Sequence, residues 1–99
     1  MAAFYCKLNA PRPTFATDMT ADEGALMRAH AGHWQAWMAK GHVVAFGMVL
    51  DPAAAFGIGL VEFDDLAAAR AATDADPVIQ ANRGFHYDIH PMPMGIVRP

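Results

Sequence analysis

The stretch MRAHAGHWQAWMAKGH (Met27–His42) sets three of the chain's five histidines among its only two tryptophans. An imidazole exchanges protons near neutral pH, and a carboxylate partner decides which ring nitrogen carries the proton. Two carboxylates stand in TDADPV (Thr73–Val78), at the end of a second helix pattern. Asp76 precedes Pro77, the signature of a helix N-cap with proline at the first helical position. It is also suitably placed to hold and polarise a histidine, as acid partners do in general-base pairs. The residues alone leave both roles open. No serine occurs in the chain. Serine-triad chemistry is therefore excluded, and a nucleophile would have to be Cys6, a threonine or a carboxylate.

Other constellations are weaker. His30 and His33 have the i, i+3 spacing that can share a metal ion. His86, Asp88 and His90 alternate onto one face of the last strand pattern, but the two histidines would be about 13 Å apart, too far for one ion. No convergent ligand set is seen, so no metal is expected, and folding should not need one. No glycine-rich nucleotide motif is present, so no organic cofactor is expected either. Cys6 lies in a strand pattern and reads as a small hydrophobe. Trp34, Trp37, Phe46, Met48 and Tyr87 read as core or dimer contacts, with a ligand cage as the rival reading. Gly47, Gly57 and Gly59 lie in strands, where they either admit a close approach or accommodate twist.

The elements that must position these residues follow from pattern. Phe4–Asn9 reads as a strand closed by APRP, with a loop running to Asp18. Thr20 and Glu23 form a capping box, opening a helix that ends at Lys40 with Gly41 as its cap. His42–Asp51 and Phe56–Asp64 read as strands joined by DPAAA into a hairpin. Asp64 or Asp65 caps a helix from Leu66 to about Ala75. Pro77 starts a short helical turn that ends at Gly84, Phe85–Met92 is the last strand, and the proline-bearing tail to Pro99 lies along the surface. The order β-α-β-β-α-β predicts a single α+β domain over residues 1–99, a ferredoxin-like split β-α-β sandwich with both helices on one sheet face.

On a helical wheel His30 falls at the centre of the buried stripe, about 20° from Trp37 and about 40° from Trp34, with His33 at its edge. Arg28, Gln35 and Gly32 take the opposite side. A buried imidazole without a partner costs roughly 1–3 kcal/mol. His30 is therefore either a satisfied core histidine, paired with a backbone carbonyl or Glu23, or a functional one. On the stripe alone, leucine at position 30 should raise the melting temperature.

In the second strand, Val44, Phe46, Met48 and Leu50 alternate with Val43, Ala45, Gly47 and Val49, and both sets are apolar. Two helices cover one face, so something else must cover the other. A second copy in a two-fold homodimer is expected, with a fold-back of the tail as the alternative. The net charge of -3 argues against a nucleic-acid partner. No apolar run is long enough to span a bilayer, the first residues do not read as a signal peptide, and the lone cysteine suits a reducing compartment. A cytoplasmic protein without membrane or nucleic-acid partners is expected.

These residues together resemble the YCII-related (YciI-like) domain proteins. The resemblance rests on His30 eleven positions before the helix-ending Gly41, on VVAFG in the next strand, on the hairpin, on DADP after the second helix, and on DIHPM in the last strand. It covers about Phe4 to Met92. It implies a domain that dimerises as dimeric α/β-barrel proteins do, and a His–Asp site at His30 and Asp76. Most members lack an established activity, and some relatives look like lyases acting on small cyclic or halogenated compounds. Many members have Gly-Pro where this chain has Gly47-Met48, a difference in the pocket wall. The expectation is a small enzyme in which His30 is general base or acid in a dry, ligand-binding pocket beside Trp34, Phe46, Gly47 and Met48. Asp76 would set the tautomer for elimination or isomerisation of a small organic substrate, cyclic or aromatic compounds included. A non-catalytic ligand-binding or accessory module of the same fold is the alternative, and a monooxygenase-like relative a more distant one.

Overall fold

Thr20 and Glu23 close the start of the longest helix as the capping box requires: the threonine side chain accepts from the Glu23 amide, and the Glu23 carboxylate accepts from the Thr20 amide. The computed structural model, which describes residues 1–97, arranges the chain as β1 (Ala2–Asn9), α1 (Phe15–Asp18), α2 (Ala21–Ala39), β2 (Val43–Val49), β3 (Phe56–Phe63), α3 (Leu66–Asp74), α4 (Pro77–Gln80) and β4 (His86–Pro91). The last expected proline, Pro99, lies outside the described residues. Lys40 ends α2, and Gly41 follows at φ +86°, the left-handed turn that glycine adopts without strain. Of the two aspartates before α3, Asp65 is the cap, accepting from the Ala68 amide. Among the described residues no helix is long and apolar enough to cross a membrane.

The strands form one antiparallel sheet in the order β2-β3-β1-β4. This α+β arrangement is compatible with a ferredoxin-like fold. Phe4, Cys6 and Leu8 of β1 point to the helices and are buried, and Val61 and Phe63 of β3 join them. Trp34 of α2 and Ala69 and Ala72 of α3 complete the main core. A second cluster gathers Leu8, Phe15, Val78 and Phe85 at the other end.

Two local readings change. Phe15–Asp18, expected within a loop, is a single helical turn. Its anchor is tertiary: Phe15 is buried edge-to-face on Phe85, with ring centroids 5.1 Å apart. Arg12 braces the turn, bonding Asp18 at 2.8 Å and clasping both oxygens of Glu23 at 2.7 and 2.8 Å. The second change is in β2. Register shifts between Val43 and Ala45, so Val43 stands opposite Val61 and Ala45 opposite Leu60. The extra residue takes Val43 out of the Ala45, Gly47, Val49 set and onto the helix-covered face with Phe46 and Met48.

The uncovered face is divided. Phe56, Ile58 and Leu60 of β3 make it apolar on one side. Tyr5, Lys7 and Asn9 of β1 and His86, Asp88 and His90 of β4 make it polar on the other. There Asn9 donates to Asp88 at 2.9 Å, and Tyr5 stacks with His90. The tail turns back at Met92, whose amide donates to the Ala3 carbonyl, and its Met94 and Ile96 are exposed.

Of the three strand glycines, Gly59 has the plainest steric reason. A Cβ there would sit 2.5 Å from Cη2 of Trp34, because the outer edge of the indole lies against the strand at this residue. Gly59→Ala should therefore push the indole off the sheet and destabilise the fold by about 1–3 kcal/mol, the usual cost of overpacking a core. Urea unfolding checks this, and a midpoint equal to that of the unsubstituted protein would refute it.

Candidate active site

The site is assembled from one turn of α2, the cap of α4 and one residue of β4. His30 and Trp34 lie one turn apart on the stripe of α2 that faces the core. Asp76 is the N-cap of α4: its Oδ1 accepts from the Val78 amide at 3.0 Å, and Pro77 follows. Its Oδ2 accepts three further donors: Nδ1 of His30 at 2.7 Å, Nε1 of Trp34 at 3.0 Å and the hydroxyl of Tyr87 at 2.6 Å. The carboxylate is 0% exposed. The two roles that the sequence leaves open for Asp76 are thus divided between its two oxygens.

The electrostatics follow from that geometry. Burial pushes the Asp76 carboxyl up, but the bonds from His30, Tyr87 and the Val78 amide outweigh it and hold the group below the ordinary carboxylate range. Burial, together with the adjacent Asp76 charge, drives the Tyr87 phenol far above its usual range, so it stays a donor. An ionised carboxylate can only accept, so His30 donates through Nδ1, and its Nε2 carries the lone pair when the ring is neutral.

Among the described residues Nε2 has no hydrogen-bond partner, and no buried side-chain nitrogen or oxygen is left without one. Nε2 is therefore open to whatever enters the cavity beside it. That cavity holds about 170 Å³, and its lining includes His30, Trp34, Phe46, Gly47 and Met48. Phe15, Phe85 and Tyr87 supply further aromatic wall, and Leu8 and Gly57 lie on the sheet side. Met48 is 63% exposed, at the rim. A Cβ at Gly47 would meet open space on the uncovered sheet face, so this glycine contributes backbone to the lining.

The remaining candidates lie apart. His33 bonds the Ala72 carbonyl at 2.8 Å, and His42 the Glu62 carbonyl at 2.8 Å. His86 and His90 lie on the uncovered sheet face, and Trp37 packs on Phe63 away from the cavity. Cys6 is fully buried, and burial pushes its thiol up to about 11, far from a reactive thiolate. Among the described residues no three His, Cys, Asp or Glu side chains are grouped so as to hold a metal ion. Several lining residues, Phe15 and Phe85 among them, lie outside the sequence prediction of the site, and Tyr87 enters it only within the rival ligand-cage reading. Phe15 sits in a stretch without helical pattern. Tyr87 gave a faint signal: a hydroxyl on the strand face that otherwise carries Phe85 and Ile89.

The family model described as "YCII-related domain" matches residues 3–93. The chain belongs to the YCII-related domain family. The match begins within β1, covers the other three strands, and includes Asp76 and the four residues that bond to it. No curated protein gives a sequence match to the chain.

Acid stability follows from three carboxylates, one of them Asp18, which bonds from Thr14 and Arg12 hold below its ordinary value. Asp76 lies below its ordinary value of 3.8, and Glu23, clasped by Arg12, is lowered from 4.5 to about 2. A carboxyl with a depressed folded-state value stabilises the fold above its unfolded value and loses that contribution as pH falls. The urea midpoint should accordingly be flat down to about pH 5 and fall between about pH 4.5 and 2. Arg12→Met should flatten the fall, because Glu23 then titrates nearer its unfolded value. An unchanged pH dependence in that variant would count against the Arg12–Glu23 clasp.

Proposed function

We propose that this YCII-related protein is a small enzyme in which Nε2 of His30 moves a proton on a compact apolar substrate, by elimination or isomerisation. The observation that carries the reading is the 2.7 Å bond from His30 Nδ1 to a fully buried Asp76, on a histidine that lines the aromatic cavity. Asp76 sets the tautomer and stabilises the imidazolium that forms when Nε2 takes a proton. A positioned acid–base group of this kind contributes about 10²–10⁴-fold. The cavity bounds the substrate: a dry, apolar space of roughly 150 Å³ accepts benzene. At about 170 Å³, this one suits a single ring with a small substituent. Trp34, Phe46, Gly47 and Met48 would be its contacts.

One observation favours a second reading, a ligand-binding module without turnover. Among the described side chains around the cavity, the Trp34 N–H and the Tyr87 hydroxyl already serve Asp76, leaving His30 without a second acid–base group beside it. Imidazole signals of His30 followed by NMR, with phenol, benzoate and cyclohexanecarboxylate added in turn, test the common ground of both readings. At least one probe should shift those signals saturably, and His30→Phe should abolish any turnover of the compound that binds. Binding without turnover across related ring compounds would favour the module. No response from any probe at millimolar concentration would remove both readings.

The reading includes an assembly of the dimeric α/β-barrel type, in which a second copy covers the open sheet face. Its support is the apolar half formed by Phe56, Ile58 and Leu60, beside Val44, which is 40% exposed. Domains of this size gain from burying such a face. Sedimentation equilibrium should give a dimer at micromolar concentration, and Leu60→Glu a folded monomer. A monomeric unsubstituted protein would refute the assembly.

A further inference from the structure

Tyr87 does more than fill the end of the core. Its ring stands on the helix-covered face of β4, opposite Leu8 and in the same row as Ile89. Phenylalanine would satisfy that packing, yet the residue carries a hydroxyl, and the hydroxyl ends 2.6 Å from Oδ2 of Asp76. The Trp34 N–H reaches the same oxygen at 3.0 Å and the Tyr87 oxygen at 2.8 Å. The indole is buried, with its outer edge packed against Gly59. One carboxylate oxygen therefore has three donors in fixed places, and only one of them is the histidine.

Neither the cap nor His30 requires such crowding. The cap uses Oδ1, and a histidine needs one acceptor to fix its tautomer. What the extra donors do is physical. Each hydrogen bond to an anion draws charge toward its own proton and leaves less for the others. In a buried site no water replaces a donor that is withdrawn.

We propose that Tyr87, seconded by Trp34, is a positioning residue: its hydroxyl shares the Asp76 charge and thereby sets the strength of the Asp76–His30 bond. The inference rests on the proposed role of His30 and adds a residue that acts through Asp76. Tyr87 tempers the pair: with it, Asp76 orients the imidazole without binding its proton so firmly that Nε2 cannot return one. The tyrosine keeps its own proton throughout.

The test is the imidazole Nδ1–H resonance of His30 at fixed pH in the full chain. The unsubstituted protein should show a hydrogen-bonded Nδ1–H. Tyr87→Phe should move it further downfield, because the Asp76 charge is then divided between two donors on Oδ2. Replacing Tyr87 with 3-fluorotyrosine, a stronger donor, should move it upfield. Opposite shifts from the two variants are the signature of charge sharing, and a hydroxyl that merely satisfies itself would lower the urea midpoint and leave the resonance in place. A resonance unmoved by both variants, or moved the same way by both, would overturn the inference and leave the His30–Asp76 pair standing. If the unsubstituted protein shows no bonded Nδ1–H, the pair itself fails and the inference with it.

Discussion

A carboxylate with no exposure to water must find its hydrogen bonds within the protein, and Asp76 finds four. An isolated buried charge would be prohibitive, whereas one ringed by donors is tolerated. The donors come from three places in the chain: α2 supplies His30 and Trp34, β4 supplies Tyr87, and α4 supplies the amide of Val78. Satisfying the one group fixes the long helix against the last strand and the start of the short helix against both. The cavity is the space that remains between this braced corner and the β2–β3 side of the sheet. Its aromatic wall keeps the surroundings of His30 poor in competing polar groups.

That dependence reverses one expectation and qualifies another. Viewed along the helix stripe, leucine is the more stable residue at position 30. With Asp76 beneath it, leucine would remove a donor from a buried anion, and losing one partner of such a pair is strongly destabilising. Likewise the Asp76→Asn side chain would cap α4 as well as aspartate does. The amide, however, must present its NH₂ either to the Val78 N–H or to the three donors on the other side. A donor would then face donors in a dry site. A functional defect in either variant must accordingly be separated from a defect in stability.

How much of this was legible in the sequence depends on range. Thr20, Glu23, Gly41, Asp65 and Pro77 act within a few residues of themselves, so their caps and turns could be read directly. The alternation of β4 put His86, Asp88 and His90 on one face for the same reason. The face of Val43 is not legible, because an inserted residue leaves no mark in an apolar run, nor is the helical turn at Phe15, which is held from outside by Phe85 and Arg12. The approach of His30 to Asp76, 46 residues apart, came from the family resemblance and not from periodicity. The sequence marks Tyr87 as a core, dimer or ligand-cage ring but not as a partner of Asp76, since a strand pattern shows where a ring lies and not what its hydroxyl reaches.

The same carboxylate links stability to the proposed chemistry. A general base must take a proton and also release it, so its partner must favour the imidazolium without fixing it. In a low-dielectric pocket a bare aspartate at 2.7 Å would favour it too strongly, since the attraction between opposite charges grows as water is excluded. Solvent exposure could weaken the pair, but it would also wet the cavity and lose the apolar contacts that a small ring needs. Sharing the carboxylate among protein donors, as proposed for Tyr87 and Trp34, would weaken the pair while leaving the pocket wall apolar. The donors that do this, Trp34 and Tyr87, are also packed against the core. In the proposed chemistry, the groups that stabilise the corner would thus be the ones that moderate the base, which couples the two properties at Asp76.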